Sequence, residues 1–168
     1  GDWISVKGSE ADGYVTEVSL NVVKVQNFDK TVTSLPTYTL VQNAFVNWRG
    51  MFDSGGRRIK RSIYLDQRSI RMLAKRDLED IASIPLMDEA LRLEQQSVDG
   101  NPECADGPRI TNSGLFRQYV VAYLQQHPKI HHSGMTLLVR QLQPTPTGLP
   151  IELYCFTTDT RWAFYEDI

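Results

Sequence analysis

Residues 14–26 alternate apolar and polar side chains over a longer stretch than one ordinary strand needs. Tyr14, Thr16, Val18, Leu20 and Val22 fall on one side of an extended chain, with Glu17, Ser19 and Asn21 on the other. A period of two is the geometry of a half-buried strand and conflicts with a helix, whose side chains repeat every ~3.6 residues. The length of the run points to two strands sharing a bend. Asn27-Phe28-Asp29-Lys30 then supplies turn residues and Thr31–Leu35 returns as a β run, so this stretch reads as a hairpin. Pro36 ends it, because proline has no N–H to give a central ladder. Asp2–Val6 is a further short strand, ahead of a polar loop carrying Gly8 and Gly13. Short strands and tight turns in this density predict a small β-barrel.

Met51–Gly56 reads as a loop, with Gly55-Gly56 as a tight connection between domains. Arg57–Leu65 is strand-like again: Ile59, Arg61, Ile63 and Leu65 alternate with Arg58, Lys60, Ser62 and Tyr64. Residues 70–93 carry helical patterning broken at Pro85, and Ser97–Gly107 reads as loop. Asn112-Ser113 is a candidate N-cap for a helix in which Leu115, Phe116, Tyr119, Val120, Tyr123 and Leu124 recur at helical spacing. His127-Pro128 stops it. Met135–Leu142 and Pro150–Thr157 are β runs joined by a Pro/Thr/Gly loop, and Asp159 is placed to cap a last helix presenting Trp162, Tyr165 and Ile168. This order is most of a βαββαβ unit, the ferredoxin-like α+β plan. The expected division is a β-domain over residues 1–52 and an α+β domain over 53–168, with an insertion over 66–111 and an end inside the last element.

Composition removes several classes of function. With 18 Lys and Arg against 20 Asp and Glu, the chain has no bulk field to recruit nucleic acid or an anionic membrane. Cys104 and Cys155 form no CxxC, so neither a disulfide scaffold nor a zinc site is expected, and free thiols fit a reducing compartment. The most apolar stretch, Leu115–Leu124, is interrupted by Arg117 and Gln118, whereas a membrane span needs ~20 apolar residues. Gly1-Asp2-Trp3 is not a signal-peptide start, and the chain reads as a piece of a longer protein.

Few residues carry chemistry. The basic run Arg57-Arg58-Ile59-Lys60-Arg61 fits a solvated strand better than a phosphate or RNA site, since alternation sends its charges to both faces. His127, His131 and His132 lack Cys or acidic partners at metal-ligand spacing. Gly55-Gly56 lacks the Lys-Ser/Thr of a phosphate loop, and the acidic residues Asp77, Glu79 and Asp80 read as a solvated helix face. No catalytic set can be assembled, so an enzyme is not expected, and no cofactor is implied. Phe28, Tyr38 and Trp48 are aromatic residues near short loops, either in the core or at a contact between subunits.

Longer runs carry a resemblance. Gly1-Asp-Trp-Ile-Ser-Val6, Gly13-Tyr-Val-Thr-Glu-Val18 and Thr31-Val-Thr-Ser-Leu-Pro36 resemble the β-domain of the small-conductance mechanosensitive channel family. Val23–Lys30, Asn47-Trp-Arg-Gly-Met51, Ser54–Arg61, Gly134–Leu142 and Gly148–Tyr154 are similar to the miniconductance branch of that family. Thr37 departs from the Asn that follows the Pro in most of the wider family, as does the long 66–111 insertion. The resemblance implies an Sm-like β-barrel followed by a ferredoxin-like domain, with Gly13, Phe28 and Pro36 as β-domain structural residues. It implies a homoheptamer, with this region on the cytoplasmic side of a bacterial inner membrane, carried by N-terminal membrane helices absent here. Arg57, Arg58 and Lys60 would be charges in a vestibule wall crossed by ions and small solutes, and the role would be survival of osmotic down-shock. The competing reading is a free-standing Sm-like module binding RNA or a small ligand.

Overall fold

The computed structural model describes residues 1–81, 83–99 and 110–168, with side chains left aside at 75 and 94–99. Cys104 and most of the expected 97–107 loop lie outside the described residues. The chain divides into two compact units, Gly1–Gly55 and Gly56–Ile168, both of mixed helix and antiparallel sheet.

The first unit runs β1 (Trp3–Val6), β2 (Asp12–Val18), β3 (Val22–Asn27), β4 (Val32–Pro36), α1 (Thr37–Gln42), β5 (Phe45–Asn47) and α2 (Arg49–Ser54). Its strands form one antiparallel sheet in the order β4-β3-β2-β1-β5. Among the described residues β4 and β5 lie at opposite edges with no ladder between them, so closure of the expected small barrel is not shown. The bent double strand over 14–26 is instead a hairpin, closed by Ser19 N–H donating to the Val22 carbonyl at 2.9 Å. A β-bulge between Val15 and Glu17 shifts the alternation by one, so Val18 pairs with Val23 on the core face; at the hairpin end Val18 and Leu20 nevertheless stay exposed, while Val23 and Val25 are buried. The core gathers Ile4, Val6, Ala11, Val23, Val25 and Leu35. The expected 51–56 loop is largely helix α2, which ends at Gly55 with φ +70°, a left-handed cap suited to glycine.

The second unit runs β6 (Arg57–Leu65), α3 (Lys75–Ile81), α4 (Met87–Asp99), α5 (Asn112–Gln126), β7 (Leu138–Gln141), β8 (Leu149–Thr157) and α6 (Trp162–Glu166). The sheet order is β6-β8-β7, all antiparallel, so the second strand of the β7–β8 hairpin lies between the other two, as in the first three strands of a split βαββ unit. Val120 and Leu124 of α5 pack on Val139, Ile151 and Cys155 of the sheet. The inserted helices pack on the start of α5 through a smaller core of Met87, Ala90, Ile110 and Leu115. Thr111, not Asn112 or Ser113, caps α5: its Oγ1 accepts from the Gly114 N–H at 3.1 Å. Asp159 does not cap α6, whose N-cap is Arg161; its carboxylate instead grips the Arg161 side chain and N–H just ahead of the helix.

Candidate functional site

Alternation along β1 sends Ile4 and Val6 into the core and leaves Trp3 and Ser5 on the other face of the sheet. Their cross-strand partners are Tyr14 and Asp12. Trp48 follows β5, and its N–H donates to the Trp3 carbonyl at 2.9 Å, which lays the two indoles together. They stack at 4.6 Å with 20° between the planes, and Phe28 meets Trp3 edge-on at 5.0 Å. Tyr14 touches Phe28 at 5.9 Å and Phe52 of α2 approaches Trp3 at 6.2 Å, both measured between ring centroids. A polar chain fixes the indoles. Trp48 Nε1 donates to Ser5 Oγ at 2.8 Å, Ser5 Oγ donates to Asp12 Oδ1 at 2.6 Å, and Trp3 Nε1 donates to the same oxygen at 2.8 Å. Each close aromatic pair contributes ~0.5–1.5 kcal/mol beyond its buried area.

Trp3 is buried, but Tyr14, Phe28 and Phe52 keep 40–45% of their surface exposed. The result is a rigid aromatic patch outside the core of the unit. Contiguous exposed apolar surface of this kind marks a contact, and aromatic rings are enriched in such contacts. Phe28 and Trp48 are thus brought together, while Tyr38 is not: it sits on α1, 62% exposed, away from the cluster. Pro36 ends β4 opposite Val22 and occupies the N-cap position of α1. Gly13 is buried opposite Ile4 and Asn27, where an added Cβ would strike the Gln26 carbonyl oxygen and approach Asn27 Cα to 2.7 Å. Sequence reasoning missed Trp3, Tyr14, Phe52, Ser5 and Asp12, whose grouping depends on strand register.

The basic run divides as alternation requires. Arg57 is half-buried, its guanidinium 4.5 Å from the Tyr165 ring centroid. Arg58 and Lys60 lie on the face away from α5, Arg58 beside Tyr154 at 5.8 Å. Lys60 Nζ stands 3.9 Å from Glu152, a buried carboxylate of β8 that also accepts from Arg140 Nε at 2.8 Å. His127, His131 and His132 lie near the end of α5, with His132 Nε2 2.9 Å from the His127 carbonyl. Among the described residues no group of His, Cys, Asp and Glu converges to hold a metal ion. Burial pushes the Cys155 thiol above its ordinary range. Hydrogen bonding from Asn47 holds Asp2 below the usual carboxylate range, which ties the start of β1 to the end of β5. No helix among the described residues is long and apolar enough to cross a membrane.

Residues 1–50 match the family model of the mechanosensitive ion channel β-domain. The first unit is therefore similar to the β-domain of mechanosensitive ion channels over nearly its whole length. The chain as a whole shares the fold of two solved structures. One is Arabidopsis thaliana MSL1 by cryo-electron microscopy, at TM-score 0.52 and 10% identity, covering 99% of this chain and 44% of that one. The other is the closed-state crystal structure of Helicobacter pylori MscS, at TM-score 0.52 and 12% identity, covering 99% of this chain and 48% of that one. The chain thus spans less than half the length of either structure.

Proposed function

We propose that this chain is the cytoplasmic part of a tension-gated channel of the miniconductance type. In this reading the full-length protein sits in a bacterial inner membrane and assembles as a homoheptamer. It opens during osmotic down-shock and passes ions and small solutes. The part described here performs no catalysis: it holds the ring together and limits how far the membrane helices move. The observation that carries the reading is the β-domain match over residues 1–50, supported by a shared fold over 99% of the chain. The Trp3–Trp48 patch supplies a rigid surface for contact between subunits, multiplied around the ring axis. Arg58 and Lys60 supply exposed positive charge for a vestibule wall.

The test is patch recording of the full-length protein in a host lacking its own tension-gated channels. Suction should open currents of small unit size, and a protein that reaches the membrane without giving such currents refutes the reading. Trp48→Ala should weaken ring assembly more than it lowers the stability of the monomer, measured by light scattering and thermal unfolding. Equal losses would assign Trp48 to the fold alone.

A further inference from the structure

In the second unit α5 and the sheet do not close on each other along their whole length. A cavity of about 390 Å³ opens between them, walled by Ile59 and Ile63 of β6, Leu153 and Cys155 of β8, and Val120 and Leu124 of α5. That volume falls within the ~300–1,000 Å³ of small-molecule sites, and apolar walls favour an apolar occupant over water. One guanidinium interrupts the apolar row of β6, and His127 at the end of α5 also lines the cavity. Arg61 shares the cavity face with Ile59 and Ile63, and its side chain is 63% exposed, so the charge stands at the mouth in water. There Arg61 Nη2 lies 2.8 Å from Glu166 Oε2 of α6. No residue of α6 is fully buried; it is held by this ion pair, by the Tyr165 hydroxyl donating to the Arg58 carbonyl at 3.3 Å, and by the Tyr165 ring, which lines the cavity under the Arg57 guanidinium. The mouth of an apolar cavity therefore already receives a carboxylate, supplied by the chain itself.

We propose that this cavity binds a free medium-chain alkyl carboxylate, with its hydrocarbon between α5 and the sheet and its carboxylate on Arg61 in place of Glu166. The chemistry is complementary at both ends: burial of the chain drives binding, and one exposed guanidinium selects a single-chain monoanion over a neutral alcohol. The site is independent of the channel reading, since it needs only the second unit.

Decanoate is the probe, with Cys104→Ser leaving Cys155 as the one thiol. Cys155 is fully buried and lines the cavity, so its labelling by a small thiol reagent, first established on the unliganded chain, reports entry into that space. Decanoate should slow Cys155 labelling saturably. Arg61→Gln should weaken decanoate by about three- to fivefold, as loss of an exposed ion pair implies, and Glu166→Gln should tighten it by a similar factor. Neither exposed substitution should change protection by decanol. Unchanged labelling with decanoate overturns the site, and an unchanged decanoate-to-decanol ratio in Arg61→Gln overturns the role of the cation. Equal protection by phosphatidylglycerol vesicles overturns the free acid as occupant in favour of a bilayer lipid.

Discussion

Gly13 shows how a single residue holds two strands at their proper distance. Any side chain there would drive its Cβ into the backbone of β3, against Gln26 and Asn27. Backbone cannot swing aside as a side chain can, so Gly13→Ala should cost about 1–3 kcal/mol, read by denaturant unfolding of the chain. Glu152 makes the converse case. It is 4% exposed and takes two contacts from Arg140, at 2.8 Å from Nε and 2.6 Å from Nη2, with Lys60 farther off at 3.9 Å. Arg140→Leu strands a buried carboxylate and should destabilise by about 1–3 kcal/mol. Combining it with Glu152→Gln should recover part of that loss in a double-mutant cycle. Gly13 was legible beforehand because it stood in a run resembling a β-domain. Glu152 was not, because its burial follows from the Arg140–Glu152 register, and local pattern says nothing about which strand lies opposite.

At the scale of the element, legibility followed periodicity. β6 was readable over its full length from strict alternation, and α5 from its apolar spacing and the stop at His127-Pro128. The hairpin after Tyr14 misled because one bulged residue shifts the period by one: Val18 shares the face of Val15 and Val23 rather than that of Tyr14, and lies exposed at the hairpin end. The short helices α1 and α2 were missed for a related reason: each spans six residues with none buried, so neither carries an apolar stripe to read. Two end-effects can be tested. Thr111→Ala removes the cap of α5 and should cost about 1 kcal/mol by thermal or denaturant unfolding. At the start of α3, Asp77 accepts from the Ala74 N–H at 2.8 Å and from both terminal nitrogens of Arg71. The Arg71 hydrogen bonds hold its carboxyl far below the ordinary 3.8. A depressed folded-state value means that Asp77 stabilises the unit above the ordinary carboxylate range and loses that contribution as pH falls below about 4. Arg71→Gln should therefore lower the melting temperature at neutral pH and flatten its decline on the acid side. Asp159, held at about 2 chiefly by Arg161, should lose its contribution between about pH 4 and 2, before that of the more strongly depressed Asp77 is exhausted. A parallel shift at every pH would remove Asp77 from the account.

At the scale of the whole molecule, the three charges named from sequence separate into different roles. Arg57 is half-buried, stacked on Tyr165, with Nη1 3.4 Å from the Thr160 carbonyl, so it ties β6 to the segment entering α6. Arg58 and Lys60 point from the opposite face of the sheet and are exposed. Only an exposed charge within about a Debye length, ~8 Å at physiological salt, of an ion's path acts on permeation. On the proposed channel reading, Arg58→Gln with Lys60→Gln in the full-length protein should then shift the reversal potential in a salt gradient toward cation preference, with chain stability nearly unchanged. Arg57→Gln should do the reverse, lowering the melting temperature while leaving the reversal potential in place. Charge count alone makes the three positions equivalent, whereas alternation along β6 makes them opposites, so the two measurements separate the sheet face from the bare sequence. An Arg57→Gln channel with altered selectivity and intact stability would place the permeation path on the α5 side of the sheet instead.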